Sequence, residues 1–125
     1  MFLGLRTVIY PTRDLDAAKA FFTPLLGVEP YFDEPFYVGY QVGGYELALH
    51  PTADVDLGPV TYWGVGNADR ALAQLVAGGA TVREPVQDVG DSIRVATVDV
   101  PVGVLGVIEN PHFQIQPVTP DGPGR

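Results

Sequence analysis

Apolar and polar positions along this chain follow a pattern that is stated twice. From Leu3 to Tyr10 the residues are rich in β-branched side chains and read as a strand. Pro11 to Arg13 turns the chain. Ala18, Phe21, Phe22, Leu25 and Leu26 then recur at the i, i+3, i+4, i+7, i+8 spacing of one helix face. Val60 to Gly79 repeats the order, with a strand to Gly66 and a stripe of Ala68, Ala71, Leu72, Leu75 and Val76. Each helix has candidate N-caps, Asp14 or Asp16 in the first and Asn67 or Asp69 in the second, whose side chains can accept an orphan backbone N–H. Each pattern stops at glycine, which adopts a left-handed C-terminal conformation at little cost. Pro24 lies inside the first helical pattern and removes a backbone donor, so the regular helix is expected to end near Phe22.

Three strands follow each helix. In the first half they are a short one over Val28 to Asp33, then Phe36 to Val42 and Tyr45 to His50, paired as a hairpin about Gly43-Gly44. Thr52 to Pro59 is the linker. In the second half Thr81 to Glu84 is a short strand and Val86 to Asp91 a polar connection. Ser92 to Val98 and Val104 to Asn110 form a hairpin about Pro101-Val102-Gly103. The steps His50-Pro51 and Asn110-Pro111 suit strand ends, because a residue before proline prefers an extended backbone. The chain therefore reads as two tandem βαβββ modules, about 1–52 and about 58–113, within one domain over 1–113. A half alone would bury too little surface to be secure, so the modules are expected to share a core. The tail 114–125 is too rich in Pro and Gly to fold by itself.

Charge and reactive groups narrow the function. The 125 residues carry a net charge of -8 with only seven Lys plus Arg, which argues against nucleic acid or an anionic membrane as partner. There is no cysteine, which excludes disulfides, thiol catalysis and thiolate metal sites. No apolar run reaches the ~20 residues of a membrane span, and no signal-peptide pattern opens the chain, so a cytoplasmic protein is expected. Ser92 lacks a glycine-flanked nucleophile elbow, and Lys19 sits on the polar side of the first helix.

The doubled pattern resembles the vicinal oxygen chelate superfamily, the glyoxalase, bleomycin-resistance and extradiol-dioxygenase group. The run Asp14-Leu15-x-x-Ala18-x-x-Phe21 carries the resemblance, with Leu26-Gly27, Gly79-Ala80 and Leu105 to Pro111. The resemblance implies an α+β fold in which two curved mixed sheets, each with a helix on its convex face, enclose a pocket for a small molecule. It also implies a homodimer. Metal ligands in that group come from the first and last strand of each half, positions that fall here on Thr7, His50, Val60 and Glu109. Valine cannot bind a metal and threonine is a poor ligand, so no cofactor is expected; if a divalent metal is bound, His50 and Glu109 are its ligands. The last hairpin also departs from the group's usual Asp-Pro-x-Gly-Asn, with Val100-Pro101-Val102-Gly103-Val104 in its place.

Several residues are candidates for the chemistry. The unperturbed pKa of histidine lies near neutrality, so His50 is a candidate general base or ligand, or it simply holds the linker by a hydrogen bond. Glu109, in an apolar run, would be made more basic by desolvation, or it is a rim carboxylate accepting backbone N–H groups. Glu46, four residues before His50, shares its strand face; it joins a pocket if that face is concave and meets solvent if not. Thr7 and Tyr62 would orient a substrate, with Trp63 on the opposite face under the second helix. Tyr37, Tyr40, Gln41 and Arg94 are possible polar contacts. Arg94 suits an anionic group through its planar fork, or an ordinary ion pair outside. His112 reads as a surface residue. The expected function is a small-molecule-binding or lyase-like protein with an incomplete or absent metal site. The alternatives are a metal-dependent lyase, isomerase or dioxygenase, and a protein that only sequesters a drug or metabolite.

Overall fold

The computed structural model describes residues 1–114, so the expected tail lies outside the described residues beyond Gln114. Two compact units form, residues 7–59 and residues 1–6 with 60–113. Strand β1 (Gly4–Pro11) is divided between them after Arg6. The first residues belong with the second half because Leu3 N–H donates to the Gly64 carbonyl at 2.8 Å and Phe2 stacks on Trp63 with centroids 5.1 Å apart.

The first module contains helix α1 (Leu15–Leu26) and strands β2 (Phe32–Glu34), β3 (Tyr37–Val42) and β4 (Tyr45–His50). Its strand order is β2-β3-β4-β1. β3 and β4 form the antiparallel hairpin about Gly43-Gly44, while β1 runs parallel to β4. Asp14 is the N-cap and accepts the Ala17 N–H at 3.0 Å. Contrary to the sequence expectation, α1 continues through Pro24 to Leu26. Its closing turn is satisfied by the Gly27 N–H on the Thr23 carbonyl at 3.0 Å, with Gly27 left-handed at φ 73°. Leu15, Ala18, Phe22 and Leu26 pack on Val38, Tyr40, Leu47 and Leu49, one face of the β3–β4 hairpin. Phe21 and Leu25, read from the spacing as part of the same stripe, are instead 62% and 66% exposed.

The second module contains β5 (Val60–Gly64), α2 (Ala68–Ala77), β6 (Thr81–Asp88), β7 (Arg94–Val100) and β8 (Gly103–Glu109), with strand order β5-β8-β7-β6. Asn67 caps α2 by accepting the Arg70 N–H at 2.8 Å. Leu72 and Leu75 pack on Val65, Ala71, Ala96 and Val107. β6 is longer than the short strand expected, and takes in the first half, Val86 to Asp88, of the segment read as a connection. It lies at the sheet edge, where a proline such as Pro85 costs no ladder bond. Two register shifts, between Val82 and Glu84 and between Glu84 and Gln87, let it follow β7. The fold class is α+β, with one helix against one face of each mixed sheet and the other face of each sheet free of helix.

Candidate functional site

In the first module the alternation of strand side chains separates two faces. Leu47 and Leu49 point at α1, so Glu46, Ala48 and His50 point away from it. The β1–β4 register places Thr7 directly opposite Glu46. The Thr7 hydroxyl, on a residue only 8% exposed, donates to Glu46 Oε1 at 3.1 Å. Tyr37 Oη donates to the same oxygen at 2.9 Å, and the Tyr31 hydroxyl donates to Oε2. Glu46 is thus a half-buried carboxylate held by three hydroxyls. Hydrogen bonds to an ionised acceptor are stronger than those between neutral groups, so the cluster fixes the Glu46 side chain. Gly39 makes the cluster possible, since a Cβ there would stand 2.8 Å from Glu46 Oε2 and 3.0 Å from the Tyr31 ring. Burial and the bond to Glu46 raise the Tyr31 pKa above its ordinary value, which keeps that phenol a donor.

His50 lies on the same face as Glu46. Its ring meets the Tyr37 ring edge-on at 5.9 Å, and Nδ1 accepts the Thr52 N–H at 3.3 Å. Tyr40 does not join them. It faces α1, is fully buried, and its hydroxyl bonds that of Thr23 at 2.7 Å. The parity of β3 puts Tyr37, Gly39 and Gln41 on the Glu46 side and Val38 and Tyr40 on the helix side.

In the second module Tyr62 stands opposite Gly106, on the face away from α2. Its ring covers Gly106 so closely that a Cβ there would lie 2.6 Å from two ring carbons. Burial first, then the charge of Glu84, pushes the Tyr62 phenol up to about 12. Glu109 faces the other way. Leu105 and Val107 point at α2, and so does Glu109, which accepts the Ala68 N–H at the start of α2 at 2.9 Å. An anionic acceptor at a helix N-terminus is a stabilising arrangement. Arg94 shares that side, 2.8 Å from Asp69 and 3.7 Å from Glu109. Its guanidinium pKa is raised, first by the hydrogen bond to Asp69. Glu109 and Arg94 therefore brace the start of α2, and neither shares a face with Tyr62. Trp63 stacks on Phe2. His112 is at the surface, with Nε2 2.9 Å from the Asp91 carbonyl.

The residues do not fit a divalent metal. Among the described residues no three His, Cys, Asp or Glu side chains gather to hold one. Glu46 is already surrounded by hydroxyls, and Glu109 is committed to the Ala68 N–H at the start of α2. No helix among the described residues is long and apolar enough to cross a membrane.

Two βαβββ modules arranged in this order define the glyoxalase-like fold of the vicinal oxygen chelate group. Solved structures bear this out. A methylmalonyl-CoA epimerase in complex with methylmalonyl-CoA and NH4+ matches with a TM-score of 0.69 at 15% identity, over 94% of this chain and all (100%) of that one. Methylmalonyl-CoA epimerase from Mycobacterium tuberculosis matches at 0.66 and 17%, over 86% and 88% of the two chains. A glyoxalase/bleomycin resistance protein/dioxygenase superfamily member from Vibrio splendidus 12B01 matches at 0.64 and 19%, over 84% and 97%. No family model and no curated protein matches the sequence. At these identities the likeness establishes the fold.

Proposed function

We propose that this protein binds a small organic molecule on the helix-free face of its sheets, with Glu46 as the polar group that meets it, and that it does so without a resident metal. The carrying observation is the Glu46 cluster itself. A carboxylate held by Thr7, Tyr31 and Tyr37 on a face that no helix covers is a rigid polar anchor among aromatic side chains, the usual composition of a small-molecule site. The epimerase whose structure contains methylmalonyl-CoA supports the reading, since it has the same fold. Where the bound molecule is turned over, in a lyase-like or isomerase-like step, Glu46 and His50 are the proton-transfer groups and the Thr7 and Tyr37 hydroxyls orient them. Glu109 is left out of that role because its carboxylate is committed to α2. A cytoplasmic homodimer completes the reading; the exposed Phe21 and Leu25, one turn apart on α1, offer the apolar surface a second copy would cover.

A thermal-shift screen of small metabolites on the wild type and on Glu46→Gln tests this. The expected result is a set of compounds that raise the wild-type melting temperature in a saturable way and raise that of the variant less, with turnover then assayed on each. Hits that stabilise both proteins equally would overturn the assignment of Glu46, and a protein that responds to no compound would overturn the reading as a whole.

A further inference from the structure

The hydroxyls around Glu46 fix its carboxylate without cancelling its charge. Thr7, Tyr31 and Tyr37 are neutral donors, so the negative charge stays in place. No lysine or arginine among the described residues pairs with Glu46. The ion pairs there join Lys19 to Asp33, Arg83 to Asp99, and Arg94 to Asp69 and Glu109. The strand register gives the reason. Over residues 7–11 of β1 and over β2, β3 and β4, alternation puts no lysine or arginine on the helix-free face. The one other carboxylate among the strand residues of that face is the exposed Glu34, which stands opposite Tyr37.

The carboxylate also has room for one more donor. Two carboxylate oxygens offer about four lone-pair sites. Oε1 accepts from Thr7 and Tyr37, whereas Oε2 accepts from Tyr31 alone, which leaves one site open on Oε2. Gly39 keeps the space beside that oxygen clear, since even a Cβ there would stand 2.8 Å from it. Aromatic rings border the carboxylate. Tyr31 and Tyr37 reach it directly, and the rings of Phe32 and His50 meet the Tyr37 ring edge-on at 6.0 and 5.9 Å. Phe32 lies opposite Gly39 and therefore on the same face. Aromatic ring faces attract cations and also offer apolar surface to a carbon frame.

We infer that the Glu46 site takes a protonated primary amine, and that the small molecule this protein binds is an organic cation. The inference rests on the small-molecule reading above and names the class of ligand. An ammonium N–H donates to the open site on Oε2, and the ammonium charge balances that of the carboxylate. The carbon frame of the ligand lies against the aromatic rings. A neutral donor makes the hydrogen bond but leaves the charge unbalanced, and an anion meets like charge. The net charge of -8 favours the approach of a cation from a distance.

Benzylamine, protonated at neutral pH, is the probe, with benzyl alcohol as its neutral counterpart and benzoate as the anion. In amide NMR spectra of the full chain, benzylamine is expected to cause saturable shifts at Tyr31, Gly39 and Glu46, with benzyl alcohol and benzoate weaker by about tenfold or more. Glu46→Gln is expected to weaken benzylamine by about tenfold or more and to change benzyl alcohol by less than about twofold. Glu34→Gln removes an exposed charge from the same face and is expected to weaken benzylamine by less than about twofold. Glu46→Asp, which keeps the charge on a shorter side chain, should fall between wild type and Glu46→Gln, and serves if the glutamine variant does not fold. Equal response to the three probes, or equal loss of benzylamine binding in the Glu34 and Glu46 variants, would overturn the inference. If benzyl alcohol or benzoate shifts these residues in a way that depends on Glu46 and benzylamine does not, the inference falls and the small-molecule reading stands. If neither these probes nor the metabolite screen shifts them, both fall.

Discussion

Glu46→Ala tests whether the three hydroxyls hold a carboxylate that matters to the fold. The substitution removes the acceptor of all three bonds at once. Thr7 is buried, so its hydroxyl loses its partner without gaining free access to water. A hydrogen bond to a charged group contributes about 1.5–3 kcal/mol; the lower end applies here because Glu46 is only half-buried. Two such bonds, from Thr7 and Tyr37, amount to about 3 kcal/mol, and the largely exposed Tyr31 adds little. Tyr37→Phe removes one donor and should cost about 1–1.5 kcal/mol. With the acceptor already gone, the same change should cost much less, giving a coupling of about 1 kcal/mol in the double-mutant cycle. The assay is urea unfolding followed by far-UV circular dichroism, since the single tryptophan, Trp63, lies in the other module. A cost below about 1 kcal/mol for Glu46→Ala, or additivity within about 0.3 kcal/mol, would refute the reasoning.

Three further outcomes follow from the geometry. Gly106→Ala forces the Tyr62 ring aside and should destabilise the protein by about 1–3 kcal/mol in the same unfolding assay, an effect that Tyr62→Ala in the same chain should relieve in part. The Tyr62 phenol titrates higher folded than unfolded, so its contribution is present below pH 10.0 and is lost as pH rises from there through about 12; stability of the wild type should fall more than that of Tyr62→Phe over that window. Pro24→Ala restores a backbone donor on the exposed side of α1 and should raise stability by about 1–2 kcal/mol, read as a higher urea midpoint; an unchanged or lower midpoint would show the proline to be locally favoured.

The order of elements was legible because it is written twice, and a repeat of strand, helix and three strands leaves few arrangements open. Boundaries were misread where one residue carried two meanings. Pro24 signalled a helix end, but on an exposed helix face the chain tolerates it and closes the turn at Gly27. The segment from Val86 reads as a connection, but at the sheet edge β6 runs on through Pro85 to Asp88. The apolar stripe of α1 was read too wide, since spacing alone cannot tell which flank of a helix meets the sheet.

The site was partly legible. That Glu46 and His50 share a face follows from strand alternation, and the structure adds Thr7, Tyr31 and Tyr37 around Glu46. The role of Tyr31 could not be read, because it comes from the segment between α1 and β2, where no periodicity points a side chain anywhere. The sides taken by Glu109 and Tyr40 were available in principle: Leu105, Val107 and Glu109 alternate with Gly106 and Ile108, and Val38 and Tyr40 alternate with Gly39, so each apolar series marks the helix side.

The central claim is that Glu46 is held by hydroxyls and works without a metal ion. Elemental analysis of protein purified without chelator, with thermal shifts in nickel, manganese, iron and zinc salts, tests this most directly. The account predicts far less than one metal per chain and no shift that depends on Glu46. One tightly held metal per chain, lost in Glu46→Gln, would contradict it.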